Sequence, residues 1–379
     1  MKKSLFLLCL SLCSFGVMAA VPPVPTIAGK AYLVEDVHSG QILASANLDE
    51  RIEPASLTKL MTAYLTFQAL ESGKLKADQM LTVSEKGYKS EGSRMFLDPR
   101  VPASVNDLIL GMIVQSGNDA CVTLAEAIAG SEEAFAVLMN QEAQRLGMSN
   151  SHFTNATGLP DAELYTTVRD LATLSRAIQQ DFPQHYPIYS VKSFTYNKIK
   201  QDNRNLLLYR DPYVDGMKTG YTASAGYNLI ASSSRNGRRV LSVVVGTGGE
   251  KERADESAKL LGWAIQSFES PKMYGARQEI STAKVYKGAD NQTAVGFLQD
   301  VYVTVPFGEG KNLKPILQLN EPLIAPITVG QKIGTLSFQD ANGQTVATRD
   351  VVALNEVKAA GWFGRWWDGM ILWFKSLLA

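Results

Sequence analysis

Ser56 and Lys59 stand three residues apart in Pro54-Ala55-Ser56-Leu57-Thr58-Lys59, the spacing at which two side chains share one face of a helix. A serine hydroxyl attacks a carbonyl only when a base takes its proton, and a lysine amine so placed can be that base. Leu57, Leu60, Met61, Tyr64 and Leu65 recur at helical spacing around the pair and predict a helix pinned in a core. A lysine at its ordinary pKa is a poor base at neutral pH, so burial or a neighbouring cation must lower it, and Lys218 in Lys218-Thr219-Gly220 is the candidate cation. A helix start also aims backbone N–H groups at developing negative charge, where losing one donor costs on the order of 100-fold in rate. Ser116-Gly117-Asn118 falls in a loop-like break between apolar helical segments and adds a second hydroxyl and an amide. The chemistry these types and spacings support is acyl transfer through a serine ester.

Alone, Ser-x-x-Lys fits a helix cap followed by a surface lysine, and Lys-Thr-Gly fits a strand end. In this order and together with Ser116-Gly117-Asn118 they form the signature of serine β-lactamases and penicillin-binding proteins. Pro54 to Thr62, Ser116 to Ala120, Asp215 to Thr222 and Ala225-Gly226-Tyr227 extend the likeness, and the chain resembles, over nearly its whole length, the low-molecular-mass penicillin-binding proteins of the type-5 and type-6 group, which are D-alanyl-D-alanine carboxypeptidases. The resemblance implies that Ser56 is the acylated nucleophile and Lys59 its proton acceptor. By the same likeness Ser116 relays protons to the leaving amine and from the attacking water, and Asn118 hydrogen-bonds the substrate amide. Lys218 steadies the proton network, Thr219 helps hold the terminal carboxylate, and the backbone N–H of Tyr221 joins that of Ser56 as oxyanion donor. Arg253, in Gly246-Thr247-Gly248-Gly249-Glu250-Lys251-Glu252-Arg253, stands where the family places a carboxylate-reading arginine. A guanidinium fork suits a chain terminus; the competing reading is a helix residue salt-bridged to Glu250, Glu252 or Glu256. Asn155-Ala156-Thr157-Gly158-Leu159 departs from the family's Asn-Pro-His-Gly-Leu, and the residue after Lys-Thr-Gly, here Tyr221, varies between His and Tyr among relatives.

Other chemistries find little support. Three histidines, His38, His152 and His185, without an H-E-x-x-H or a Cys/His cluster argue against a zinc peptidase. No G-x-S-x-G elbow occurs, and Gly246 to Gly249 reads as a turn after the strand-like Val243-Val244-Val245. Neither cofactor nor metal is expected. A β-lactamase is the nearest rival, but no convincing Glu-x-x-x-Asn loop lies between Ser116 and Lys218. A non-catalytic wall-binding protein would be free to lose Ser56 or Lys59.

The 379 residues, 45% of them hydrophobic, with 37 basic and 37 acidic side chains, suffice for at least two cores, and the charge balance argues against nucleic acid. Lys2 and Lys3, the apolar run Leu5 to Leu12 and the small-residue box Val17-Met18-Ala19 read as a secretory signal over 1–19. Cys9 and Cys13 would leave with it, and Leu12 weakens a lipoprotein reading at Cys13. Cys121 then has no partner for an internal disulfide and reads as helix packing.

The elements that must position the chemistry follow. Ala31 to Val37 and Gln41 to Ala46 alternate about Ser39-Gly40 as one hairpin, and Tyr227 to Ser233 and Val240 to Val245 form another through Asn236-Gly237. The stretch from Ser56 to Gln179 is mostly helical and strands return near Lys218. The reading is the α/β (α+β) fold of serine β-lactamases and DD-peptidases over 20–268, with an antiparallel sheet, packed helices, and Ser56 brought up to the Lys218 edge. After Pro271 short alternating strands such as Val301 to Val305 and Ile333 to Phe338 predict a small all-β domain over 269–356, with a spacing or protein-contact role. The tail, 357–379, carries four of the five tryptophans, and Phe363, Trp366, Trp367, Met370, Phe374, Leu377 and Leu378 share one helical face opposite Arg365, Asp368, Lys375 and Ser376. Trp362 to Ala379 would span only about 27 Å against roughly 30 Å of hydrocarbon, so the segment is expected to lie in a membrane surface. Docking of the helix on its own domain is the alternative. The expected partners are peptidoglycan stem peptides, β-lactam antibiotics and that surface, on the periplasmic side of the inner membrane.

Overall fold

A computed structural model describes residues 21–378, with side chains through Lys375. The expected signal segment, with Cys9 and Cys13, lies outside the described residues, as do Ala379 and the side chains of Ser376, Leu377 and Leu378. The principal elements are numbered here in chain order.

Strands β1 (Ala31–Asp36) and β2 (Gln41–Ala46) form the first hairpin. The nucleophile segment then makes a tight turn over Ala55–Thr58 that runs directly into α1 (Lys59–Glu71). Lys59 through Phe67 are all buried, so α1 is wrapped on every side. That placement, more than a one-sided apolar stripe, keeps Lys59 from water. α2 (Asn118–Ala129), α3 (Glu132–Arg145) and α4 (Val168–Asp181) pack around it.

β3 (Val214–Thr222), β4 (Gly226–Arg235) and β5 (Arg238–Thr247) complete an antiparallel five-stranded sheet in the order β2-β1-β5-β4-β3. The β4–β5 turn places Asn236 at φ 52° and Gly237 at φ 76°, the left-handed pair a two-residue hairpin needs. Val243, Val244 and Val245 alternate faces: Val243 and Val245 join the helical core containing α1, while Val244 packs with Leu260 and Leu261 of α5 (Glu250–Ser267). The sheet is therefore covered on both sides, which explains its unbroken apolar runs. Its β3 edge stays open and faces the nucleophile turn.

After α5 the chain enters a β-rich region. β6 (Glu279–Tyr286), β7 (Gln292–Gly296), β8 (Lys314–Leu319), β9 (Leu323–Ile324), β10 (Lys332–Gln339) and β11 (Thr345–Ala353) form one sheet ordered β8-β10-β11-β7-β6-β9 over a separate core that includes Val295, Phe338 and Val351. The run Val301 to Val305, expected as one strand of this domain, is two. Val301–Tyr302 pairs with Lys272–Tyr274, and Val305–Pro306 pairs with Phe268–Glu269 at the junction, with buried Val303 and Thr304 between. The junction is polar at its centre: fully buried Asp36 Oδ2 accepts from Arg238 Nε at 2.8 Å and from Ser270 Oγ at 2.5 Å.

The chain ends in α6 (Trp362–Leu378). Its polar edge meets the β-rich domain: Asp368 Oδ2 accepts from the Lys287 N–H, and Lys375 Nζ donates to Tyr286 Oη at 2.9 Å. Its aromatic residues face outward, Trp362 at 75% exposure and Phe363 at 68%. No helix among the described residues is long and apolar enough to cross a membrane.

Candidate active site

Ala55, at φ 49°, turns the chain left-handed just before Ser56 and starts the tight turn that lifts the hydroxyl into an open cleft of about 690 Å³. Lys59 Nζ lies 2.9 Å from Ser56 Oγ and donates to the Thr157 carbonyl at 2.5 Å. Lys59 is 1% exposed, and burial pulls its amine down from 10.5 to about 8, with the Arg204 charge acting in the same direction. Lys218, buried on β3, is itself driven well below 10.5, by burial first and then by Lys59 and Arg204. The two amines repel each other, so Lys218 remains a candidate for the depressing cation, and the Arg204 charge, absent from the sequence reading, acts on both.

Ser116 ends a π turn over Gly111–Gln115 in left-handed backbone at φ 66°. Its Oγ is buried and makes no hydrogen bond among the described residues, so it remains available to a ligand. Asn118, at the start of α2, donates Nδ2 to the Glu91 carbonyl at 2.6 Å. Beside it, the Asp119 carboxylate accepts from the backbone N–H groups of Met95 at 3.0 Å and Leu97 at 3.1 Å. The Ser116–Asn118 element thus organises the 91–97 segment as one cleft wall.

β3 is the other wall. A Cβ at Gly220 would sit 3.2 Å from the Pro54 carbonyl, so the strand passes against the nucleophile turn. Lys218 Nζ donates to the Thr219 carbonyl at 3.0 Å, and the Tyr221 ring packs tilted by 32° against Tyr227 with ring centroids 4.3 Å apart. Arg253, almost fully buried on α5, donates to the Gly220 carbonyl at 3.3 Å, lies 5.5 Å from the Tyr227 ring centroid and is 3.7 Å from Glu250. The helix ion-pair reading of Arg253 therefore holds for Glu250, yet the side chain also lines the cleft. Cys121 is buried, and burial raises its thiol to about 12.

All the singled-out residues except Lys59 and Lys218 line the open cleft, and those two lie beneath it. Arg204 was missed by the sequence reading. It projects from a turn fixed by buried Asn203 and Asn205, Asn205 donating Nδ2 to the Gly216 carbonyl at 2.9 Å. Arginine between two asparagines before the Lys-Thr-Gly strand was the available signal.

A serine paired with a buried lysine at a sheet edge defines an acyl-transfer enzyme of the penicillin-interacting serine class. Residues 17–249 match the model of the D-alanyl-D-alanine carboxypeptidase family, and 268–359 match that of the penicillin-binding protein 5 C-terminal domain. The chain belongs to the D-alanyl-D-alanine carboxypeptidase family of serine peptidases. It is 42% identical to D-alanyl-D-alanine carboxypeptidase DacC of Escherichia coli, covering 93% of this chain and 91% of that one. It is 43% identical to DacA of Haemophilus influenzae, with 94% and 92% covered. The crystal structure of penicillin-binding protein 5 from Haemophilus influenzae superposes with a TM-score of 0.84 at 42% identity, over 89% of this chain and 99% of that one.

Proposed function

We propose that this chain removes the terminal D-alanine from peptidoglycan pentapeptide stems, through an ester on Ser56. The observation that carries the reading is the 2.9 Å contact between Ser56 Oγ and an amine that burial holds at about 8. Thr157 takes one N–H of Lys59, so the neutral amine can turn its lone pair to the hydroxyl.

In the acylation step Ser56 Oγ bonds to the carbonyl carbon of the penultimate residue while its proton passes to Lys59 Nζ. The resulting oxyanion accepts from the backbone N–H groups of Ser56 and Tyr221. The C–N bond then breaks, and Ser116 Oγ, with no other partner among the described residues, delivers a proton to the departing amine. Asn118 holds the substrate amide, Lys218 steadies the proton network in which Ser116 regains its proton from Lys59, and Thr219 and Arg253 hold the terminal carboxylate. Water repeats the sequence in reverse, adding to the ester carbon and restoring the Ser56 hydroxyl. A β-lactam presents the same carbonyl and carboxylate, and penicillin should acylate Ser56 in turn. A relative, penicillin-binding protein D2 of Listeria monocytogenes, has been crystallised in an ampicillin-bound form.

We further propose export by the 1–19 segment, division into the 20–268, 269–356 and 357–379 units, and attachment of α6 to the periplasmic face of the inner membrane. The outward tryptophans support attachment, since such rings favour the headgroup boundary, while Asp368 and Lys375 are engaged on the domain side. The deciding experiment incubates the protein with fluorescent penicillin and with a D-Ala-D-Ala stem mimic. A long-lived adduct and D-alanine release, both abolished in Ser56→Ala, are expected. Rapid turnover of the adduct, or release surviving in Ser56→Ala, overturns the reading.

A further inference from the structure

Four charged side chains line the active-site cleft: Arg94, Arg204, Arg253 and Glu250. Three cations against one carboxylate is more positive charge than a single substrate terminus needs. Glu250 and Arg253 lie within 3.7 Å of each other, and Arg204 sits close enough to the two lysines to depress them. Arg94 stands apart. It is exposed, it has no hydrogen bond or ion pair among the described residues, and it belongs to the Ser116–Asn118 wall, whereas Arg253 belongs to the β3 wall.

The segment carrying Arg94 is built, not loose. Ser93 accepts the Asn118 N–H at 2.7 Å, Asp119 clamps the Met95 and Leu97 amides, and Gln201 Nε2 donates to the Met95 carbonyl at 3.2 Å. These bonds hold Phe96 in left-handed backbone at φ 68°, and the residue is 46% exposed. A bulky residue kept in that region marks a position whose geometry the surroundings impose. Arg94 and Phe96 also line a second groove of about 440 Å³, so they form the ridge between it and the cleft. In that groove Arg100 is already paired to Asp98, Nη2 to Oδ2 at 2.7 Å, and the Asp119 carboxylate is occupied by the backbone. The uncommitted charge on the ridge is Arg94.

We propose that Arg94, with Phe96 beside it, is a specificity subsite for a second carboxylate on the substrate, carried by the side chain of the residue immediately before the scissile D-Ala-D-Ala pair. The inference rests on the carboxypeptidase reading above. With the leaving end turned to Thr219 and Arg253, the acyl chain departs past Asn118. A Cβ at Gly92 would fall 2.9 Å from Asn118 Nδ2, so the 92–96 segment abuts the amide that holds the substrate. The residue preceding the scissile pair is the first whose side chain clears that amide. It emerges at the ridge, where a guanidinium can take a carboxylate in fork geometry and the Phe96 ring can cover the side chain's methylenes.

The test compares two peptides ending in D-Ala-D-Ala that differ only in a carboxylate or a carboxamide at the end of that preceding side chain. D-alanine release gives kcat/KM for each. The wild-type protein should prefer the carboxylate peptide, and Arg94→Gln should reduce the ratio of the two kcat/KM values about fivefold, the size of an exposed ion pair. Arg94→Lys should keep part of the preference, and Arg94→Glu should reverse it. Raising the salt should shrink the wild-type ratio, because the pair is exposed. A ratio unchanged in Arg94→Gln and Arg94→Glu overturns the subsite, whatever happens to the absolute rates. A wild-type protein that releases D-alanine from neither peptide overturns the carboxypeptidase reading itself, and the subsite with it.

Discussion

Lys59 can serve as base only in its neutral form, which makes the pH dependence of acylation the sharpest test of the site. Burial lowers the amine from 10.5 to about 8, a difference worth about 3.4 kcal/mol between charged and neutral forms. At pH 7 about one molecule in ten then carries the neutral amine, against about one in three thousand for an unperturbed lysine. With Lys59 as the proposed base, that difference would amount to about 300-fold more competent enzyme at neutral pH. The sign is that of a lowered base: the active form is scarce below about 8 and fills as pH rises through it. The second-order rate of fluorescent penicillin acylation, measured from pH 6 to 10, should climb about tenfold per unit at first and level off above an inflection near about 8. Arg204→Gln removes a charge that disfavours the ammonium, so its inflection should move to higher pH. A simple loss of substrate binding at Arg204 would lower the rates without moving the inflection. A wild-type profile flat from 6 to 10, or still rising at 10, refutes the assignment of Lys59 as base.

Three further outcomes follow from contacts in the fold. Gly158→Ala would put a Cβ 1.8 Å from the Ala55 carbonyl oxygen, at a backbone φ of +84°, so the nucleophile turn must move; acylation should fall by at least about 100-fold, and a near-normal stopped-flow rate would contradict the packing. Asp36→Ala leaves Arg238 partly buried without its carboxylate and unties Ser270; urea unfolding should show a loss of about 3–5 kcal/mol, and a loss under about 1 kcal/mol would mean the junction carries little stability. Deleting 362–379 should release the protein from anionic vesicles in a flotation assay while leaving D-alanine release from a soluble peptide intact, and a truncated form that still floats would refute attachment through α6.

The parts legible in the sequence are those where chemistry fixes residue identity or where the chain pairs with its neighbour. Ser56 and Lys59 stand three residues apart, which puts them on one face and makes their contact legible once the other motifs are read with them, and Asn236-Gly237 dictates its own hairpin. What stayed hidden depends on long-range placement. Nothing local to Lys59 shows that α1 is buried on all faces, although that burial is the main cause of the lowered pKa. Arg204 is an ordinary loop arginine until the Asn205 bond to Gly216 fixes its turn beside the Lys218 strand. The split of Val301 to Val305 is likewise invisible, because its two halves pair with different strands of the domain junction.

The tail shows the same division at a larger scale. Periodicity separated its aromatic face from its polar one, but not what the polar face is for. Asp368 and Lys375 lie two turns apart and grip consecutive residues, Lys287 and Tyr286, at the end of β6. Those two contacts fix the helix on the β-rich domain with its rings turned outward. Ser270, which donates to Asp36 of β1 and accepts from Arg238 of β5, in turn ties that domain to the catalytic sheet. A surface held by the aromatic face would therefore be connected to the cleft through packed, hydrogen-bonded elements, and on the proposed attachment through α6 the β-rich domain would set the height and tilt of Ser56 above that surface.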